Sequence, residues 1–162
     1  IKTMQDNPQF LKDLELGLKS EDSSMKYLEE IFGELWNTGT DLGEKFNKYD
    51  FRSKDRPLKI ELKTRRCDFQ DYPDLQFELG KIENGIKFIK DNPDGKCFFV
   101  WRCIGKHGDK WGKERFYYWE LKDGEWFKGY GGRVDRGKNE WRLLCKIKNE
   151  YIKPLFLHRP TL

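Results

Sequence analysis

The stretch from residue 49 to residue 63 most constrains the fold, because apolar and polar residues alternate there on both sides of a turn. Its apolar positions are Tyr49, Phe51, Leu58, Ile60 and Leu62. Alternation with period two is typical of a strand that buries one face, and Pro57 closes a four-residue turn at 54–57. The pattern therefore predicts a β-hairpin.

The register of this hairpin decides which polar side chains meet. If Ser53 pairs with Leu58, Asp50 falls opposite Glu61. The period of two then places Tyr49 and Phe51 on the core face together with the three aliphatic residues of the second strand. The other face carries Asp50, Glu61 and Lys63.

Two opposed carboxylates and a lysine are suited to phosphodiester hydrolysis. Directly opposed residues have Cβ atoms roughly 4.5–5.5 Å apart, and two carboxylates at that separation repel each other unless a cation lies between them. Mg²⁺ prefers such oxygen ligands, and Mn²⁺ shares this preference, so the Leu62 carbonyl is a candidate third ligand. Lys63 would stabilise the attacking hydroxide or the phosphorane. The alternatives are a solvated edge pair, or Asp55 of the turn in place of Asp50.

The rest of the chain predicts one mixed α/β domain over 1–162, with a core at about 10–122 and a β-rich hairpin extension at about 123–162. Helical spacing covers 8–35 and 74–91. An apolar run at 97–104 is typical of a strand covered on both faces. Further strands are expected at 116–121 and 125–127, and the segment 141–152 fits strand or helix.

Composition restricts the function only loosely. The formal net charge is +4, and aromatic residues make up 15% of the chain, which is enough for a folded core. The four cysteines form no C-x-x-C pair, so we expect reduced thiols. We also find no signal-peptide pattern and no apolar run of about 20 residues. We therefore expect an intracellular, reducing location, cytoplasmic or nuclear, with no membrane partner.

The run Tyr49-Asp50-Phe51 followed by 59–65, Lys-Ile-Glu-Leu-Lys-Thr-Arg, resembles the core motif of the PD-(D/E)XK nuclease superfamily. The segment 17–21, Gly-Leu-Lys-Ser-Glu, is similar to the G-x-x-x-E helix signature of its resolvase-like branch. The resemblance spans about 10–122 and implies a restriction-endonuclease-like αβββαβ core. It implies Asp50 and Glu61 as metal ligands and Lys63 as the catalytic lysine.

The resemblance also implies that Glu21 assists the metal or a bound water. A first-turn glutamate after Ser20 is the alternative interpretation of that residue. Two departures from the family pattern stand out. Tyr49 occupies the position of the family's proline, and the first predicted helix has no histidine, unlike the viral cap-snatching endonucleases of the superfamily.

Nucleic-acid contacts are expected from basic and polar residues around this motif. Gln76, Glu78 and Lys81 lie on the predicted second helix, where Gln76 and Lys81 would touch phosphate; otherwise they are surface residues. The remaining candidates are basic residues that follow the motif strand or lie among late aromatic and glycine residues. They are Arg65, Arg66, Lys110, Lys113, Arg133, Arg136 and Lys138.

The sequence thus predicts a Mg²⁺- or Mn²⁺-dependent nuclease acting on DNA in preference to RNA. An RNA endonuclease of the cap-snatching type would use the same site. A non-catalytic nucleic-acid-binding module of the same fold and a protein-interaction domain are two further alternatives. A homodimer is compatible with cutting both strands, although no residue pattern predicts one.

Overall fold

The structure, a computed structural model, describes residue 8 and residues 24–43, 49–105, 114–132 and 141–155. Helix α1 covers residues 24–32, and helix α2 covers Leu79–Asp91. The strands are β1 Leu35–Asn37, β2 Phe51–Ser53, β3 Leu58–Arg65, β4 Asp74–Glu78, β5 Lys96–Cys103, β6 Arg115–Glu120, β7 Trp126–Gly131, β8 Arg142–Lys148 and β9 Lys153–Pro154. Two short 3₁₀ helices cover Phe69–Asp71 and Asn149–Tyr151.

Six strands form a mixed central sheet in the order β1-β2-β3-β5-β6-β9. Strands β3 and β5 are parallel, and the other neighbours are antiparallel. A parallel pair needs a crossover connection, and here it passes through β4 and α2. The expected mixed α/β architecture with a mixed central sheet is confirmed.

Both faces of the central sheet are covered, as the alternation along β5 shows. Phe98 and Val100 belong to a cluster on the α1 side, which also contains Phe51 and Ile60. We call it the α1-side cluster; its members are Leu28, Ile31, Phe32, Leu35, Phe51, Leu58, Ile60, Phe98, Val100, Phe116 and Leu155. The expectation that this strand is buried on both faces is therefore confirmed.

The opposite face of β5 contributes to a second cluster, on the side of α2. We call it the α2-side cluster; its members are Tyr49, Leu75, Phe77, Ile82, Cys97, Phe99, Trp101, Cys103, Trp119, Leu121, Cys145, Ile147 and Ile152. Phe77 lies 4.8 Å from Phe99 and 4.9 Å from Trp101 between ring centroids. These ring contacts fix β4 against the face of the sheet that also carries Glu61.

A second, antiparallel sheet has the order β4-β8-β7. Its inner residues Cys145 and Ile147 pack in the α2-side cluster, so the C-terminal strand β8 shares this core with β5, the neighbour of the motif strand β3. The segment 141–152, which fits strand or helix by sequence, is mainly a strand. Among the described residues, no helix has both the length and the apolar character needed to span a membrane.

Two element predictions are wrong. The segment 74–78 was expected to be helical, but it forms β4, and α2 begins only at Leu79. The first helix was expected to run to residue 35, but its last helical residue is 32, and Leu35 begins β1. Gly33 ends α1 with φ of 85°, a conformation that favours glycine at a helix C-terminus. Its N–H donates to the Glu29 carbonyl, which closes the last turn.

Candidate active site

Two predicted pairings of the β2–β3 hairpin are confirmed, but the predicted pairing of Asp50 with Glu61 is absent from its register. Phe51 pairs with Ile60, and Arg52 pairs with Lys59. On its other side, β3 pairs with β5, so that Glu61 lies beside Phe99. Paired residues of neighbouring strands point to the same face, which directs Glu61 and, two residues on, Lys63 toward the α2-side cluster.

A β-bulge interrupts the hairpin where the candidate site begins. The N–H of Asp50 donates to the carbonyl of Ile60 at 3.2 Å, and Ile60 is also the register partner of Phe51. Two residues of one strand therefore face one residue of the other, which is the arrangement of a bulge. The extra residue reverses the alternation and places Tyr49 in the α2-side cluster, apart from Phe51. The prediction that Tyr49 shares the face of Phe51 is wrong.

Asp50 is anchored to the motif strand through its side chain. Its Oδ2 accepts a hydrogen bond from the Leu62 N–H at 2.8 Å, and its main-chain carbonyl accepts one from the Thr38 N–H. The carboxylate is half-buried. Because the N–H and C=O of one residue in an extended strand point to the same neighbour, the Leu62 carbonyl also faces the side of Asp50.

Glu61 is almost fully buried, with 6% of its surface exposed. Its Oε1 forms an ion pair with Lys81 Nζ of α2 at 3.0 Å. Its Oε2 has no hydrogen-bond partner among the described residues. A buried carboxylate oxygen without a partner is costly, so Glu61 retains one oxygen that a cation would satisfy.

Burial and neighbouring charges together shift the pKa of Glu61 strongly. Burial is the largest cause, and the nearby Asp50 carboxylate adds to it, so the pKa of Glu61 is raised well above its usual value. Lys81 acts in the opposite direction but does not reverse the shift. The Asp50 carboxylate is therefore close enough to disfavour the charged form of Glu61.

Lys63 is held next to this pair by a second ion pair. Its Nζ lies 3.2 Å from Glu78 Oε1 at the end of β4, and 5.5 Å from the ring centroid of Phe77. Arg142 of β8 reaches the same Glu78 oxygen at 3.6 Å. Burial lowers the pKa of Lys63 to about 8, and Arg65 adds to this effect, while Glu78 and Glu61 oppose it. The amine is thus easier to deprotonate than an ordinary lysine.

Glu78 responds to these neighbours in the opposite sense. Burial alone would raise its pKa, but the charge of Lys63, the main-chain hydrogen bond and Arg142 together lower it to about 2. Glu78 is therefore a permanent anion at neutral pH, and it fixes the Lys63 amine on the side of the second sheet.

Some residues that were predicted to contact nucleic acid contact other parts of the protein in the structure. Lys81 pairs with Glu61, and Gln76 lies in β4, not on the helix. An added Cβ at Gly131 would meet Gln76 Oε1 at 2.7 Å, so this amide reaches across β8 to strand β7. Arg65 donates from Nη2 to the Gln76 carbonyl at 3.3 Å.

Arg66 is exposed just beyond β3. Several further predicted residues lie outside the described residues. These are Glu21, Lys110, Lys113, Arg133, Arg136 and Lys138.

Sequence reasoning assigned no role to Glu78 or Arg142, and it assigned Lys81 to phosphate contact. The signal for Glu78 was the alternation Asp-Leu-Gln-Phe-Glu at 74–78, with Leu75 and Phe77 as buried positions. That pattern predicts a strand that ends at Glu78, but the contact of Glu78 with Lys63 depends on how β4 packs against the sheet. No local signal identifies Arg142, because β8 joins this sheet from a distant part of the chain.

The donor atoms of the site are carboxylate oxygens and one main-chain carbonyl. Within the described ranges, His, Cys, Asp and Glu side chains do not converge in a metal-binding group of three or more. Carboxylate and carbonyl oxygens are the donor type that Mg²⁺ and Mn²⁺ prefer in proteins. Comparison with protein-family models, with curated proteins and with solved structures returned no match for this chain.

Proposed function

We propose that this chain is a Mg²⁺- or Mn²⁺-dependent nuclease of the PD-(D/E)XK type, with a restriction-endonuclease-like core, that hydrolyses phosphodiester bonds in DNA. The observation that carries the proposal is the burial of Glu61 beside Asp50 with Oε2 unpartnered among the described residues. Lys63 follows on the same strand face, as the motif requires.

The order of elements supports the proposal. Helix α1, the strands β1, β2 and β3, helix α2 and strand β5 follow the αβββαβ sequence expected of that core, with β4 inserted before α2. The parallel pairing of β3 with β5 places the motif strand in the interior of the sheet. An interior strand gives the two acids a rigid support.

The residues present fit a divalent cation. Asp50, the free Oε2 of Glu61 and the Leu62 carbonyl would hold it, and Glu21 is a further candidate outside the described residues. When bound, such a cation polarises the scissile phosphate and lowers the pKa of a water molecule. Lys63 donates to a phosphate oxygen when charged and accepts a proton from water when neutral, and a pKa of about 8 makes both forms accessible near neutral pH.

The test is cleavage of linear duplex, branched and single-stranded DNA, and of RNA, with Mn²⁺ or Mg²⁺. Glu61→Ala and Lys63→Ala are expected to lower the rate by roughly 100-fold or more. Glu83→Ala, which alters an exposed residue of α2, is the control. Faster cleavage of RNA than of DNA would reassign the substrate to the RNA endonuclease alternative. Unchanged cleavage in both site variants would move the active site elsewhere.

A second candidate function is a nucleic-acid-binding module that does not cut. It is favoured by the two lysine–glutamate pairs, Lys81–Glu61 and Lys63–Glu78, which neutralise the site from within. This candidate predicts salt-sensitive DNA binding without Mn²⁺ binding in calorimetry. Cleavage that depends on Glu61 excludes it.

A further inference from the structure

One of the two acids at the candidate cation site, Glu61, already forms an ion pair with the lysine Lys81. The Lys81 Nζ lies 3.0 Å from Glu61 Oε1, and the side chains are 27% and 8% exposed. Lys81 belongs to the first turn of α2, whereas Glu61 belongs to the interior strand β3. Helix α2 therefore places the positive charge of Lys81 beside Glu61, the acid that would ligate the metal.

We propose that the Lys81 ammonium is the resident counter-ion of the Asp50–Glu61 pair, and that a divalent cation held at the free Oε2 drives it away from Oε1 by charge repulsion. This inference rests on the proposed function, because it assumes that Asp50 and Glu61 bind a divalent cation. The role that it assigns is that of the Lys81 side chain. It changes the interpretation of Lys81 from a phosphate contact to a residue that competes with the cation.

The burial of the pair explains why a counter-ion is needed. A buried carboxylate is stable only when a charge or hydrogen bonds compensate it, and Glu61 Oε2 has no such partner among the described residues. Lys81 supplies the compensation at Oε1. A divalent cation held by Asp50 and Glu61 would lie close to the same ammonium, and the two positive charges would repel each other.

The Lys81 side chain is able to move away from Glu61 toward solvent. Its side chain is already 27% exposed, and lysine carries its charge on a flexible four-carbon stem. Rotation about that stem moves the ammonium toward solvent without a change in the helix. Once released, the same ammonium is available to a phosphate group of the substrate.

The experiment compares Mn²⁺ binding by calorimetry in the wild-type chain and in Lys81→Met, with no nucleic acid present. Removal of the competing charge is expected to tighten Mn²⁺ binding by roughly tenfold or more. Lys87→Met is the matched control, since it removes one exposed lysine charge from the same helix; its Mn²⁺ affinity should equal that of the wild type. Equal or weaker binding in Lys81→Met overturns the inference.

Lys81→Met is also a folding test, because it leaves Glu61 buried without the Lys81 ammonium. If the variant does not fold in the absence of metal, Mn²⁺ is expected to restore its thermal unfolding transition. The double variant Lys81→Met with Glu61→Gln should then fold without metal and show no response to Mn²⁺. Failure of both rescues overturns the counter-ion role.

Different experimental outcomes contradict the proposed function and this inference. Tighter Mn²⁺ binding in Lys81→Met, combined with a wild-type chain that cuts neither DNA nor RNA, supports the counter-ion and removes the nuclease. Cleavage by the wild type, combined with unchanged Mn²⁺ affinity in Lys81→Met, supports the nuclease and removes the counter-ion.

Discussion

Gly85 of α2 lies so close to Cys97 of β5 that a Cβ added to the glycine would stand 3.1 Å from the Cys97 Sγ. The same Cβ would stand 2.8 Å from Leu121 Cδ2. Lys81 precedes Gly85 by four residues and lies on the same helix face. The close approach at Gly85 therefore sets the distance at which Lys81 reaches Glu61.

Gly85→Ala is expected to destabilise the protein, by about 1–2 kcal/mol, because the added methyl group enters a packed site. The gain in helix propensity from glycine to alanine offsets only part of this cost. The matched variant is Gly80→Ala in the same helix, where an added Cβ meets nothing within 4 Å. It should stabilise the protein by about 0.5–1 kcal/mol. Urea unfolding measures both changes, and shifts of the same sign would contradict the packing described for α2.

Asp50 combines a structural and a chemical role, and two substitutions separate them. Asp50→Asn keeps an oxygen that accepts the Leu62 N–H, so stability should change little, whereas Asp50→Ala leaves that N–H without its partner and should cost about 1–2 kcal/mol. Both variants should lower Mn²⁺-dependent cleavage by roughly 100-fold or more, because both lose the carboxylate charge. Full activity in the folded asparagine variant would show that Asp50 is not a ligand.

Much of the fold is predictable from local patterns. The hairpin register at Phe51 and Ile60 follows from alternation and turn length, and the burial of β5 follows from its apolar run. Each of these features depends on a period that the chain displays within about ten residues. The location of Glu61 and Lys63 on one face follows from the same period.

The errors have physical causes that such patterns do not contain. Leu75 and Leu79 are spaced as in a helix, yet Leu75 and Phe77 also fit a strand, and pairing with the distant β8 decides between the two. The bulge at Asp50 inserts one residue, so the face of Tyr49 depends on a main-chain hydrogen bond and not on its place in the alternation. The partners of Lys63 and Lys81 depend on the packing of β4 and α2 against the sheet, which no local spacing specifies.

The four cysteines are free and buried, and they should differ in reactivity. The hydrogen bond with the Cys103 thiol lowers the pKa of Cys67, and the charge of Arg65 acts in the same direction although burial opposes it. Burial raises the pKa of Cys97 and of Cys145 to about 12. Because the thiolate is the reactive form, Cys67 should be alkylated by iodoacetamide roughly tenfold faster than the others in the native protein.

Mass spectrometry of the labelled peptides measures the order of reaction. Cys67→Ser should remove the fast phase and leave the slow labelling of Cys97 and Cys145 unchanged. Initial labelling at either of those two residues would contradict the environment described for Cys67.

Glu78 should make the stability of the protein depend on pH in the acid range. Its pKa is about 2 in the folded protein against 4.5 as the ordinary value, so the folded state binds the proton less readily than the unfolded state does. The stabilisation is therefore complete above about pH 4.5 and is lost as the pH falls toward 2. With 39% of the side chain exposed, water screens its partners, and we expect a contribution of about 1 kcal/mol.

Urea unfolding between pH 6 and pH 3 tests this contribution in Glu78→Gln. The variant should be less stable than the wild type at pH 6, and the difference should shrink as the pH falls, because protonation removes the same charge from the wild type. Glu83→Gln, an exposed substitution on α2, should follow the wild type at every pH. A constant difference between wild type and Glu78→Gln would mean that the ion pair with Lys63 does not stabilise the fold, and that another contact holds the amine beside Glu61.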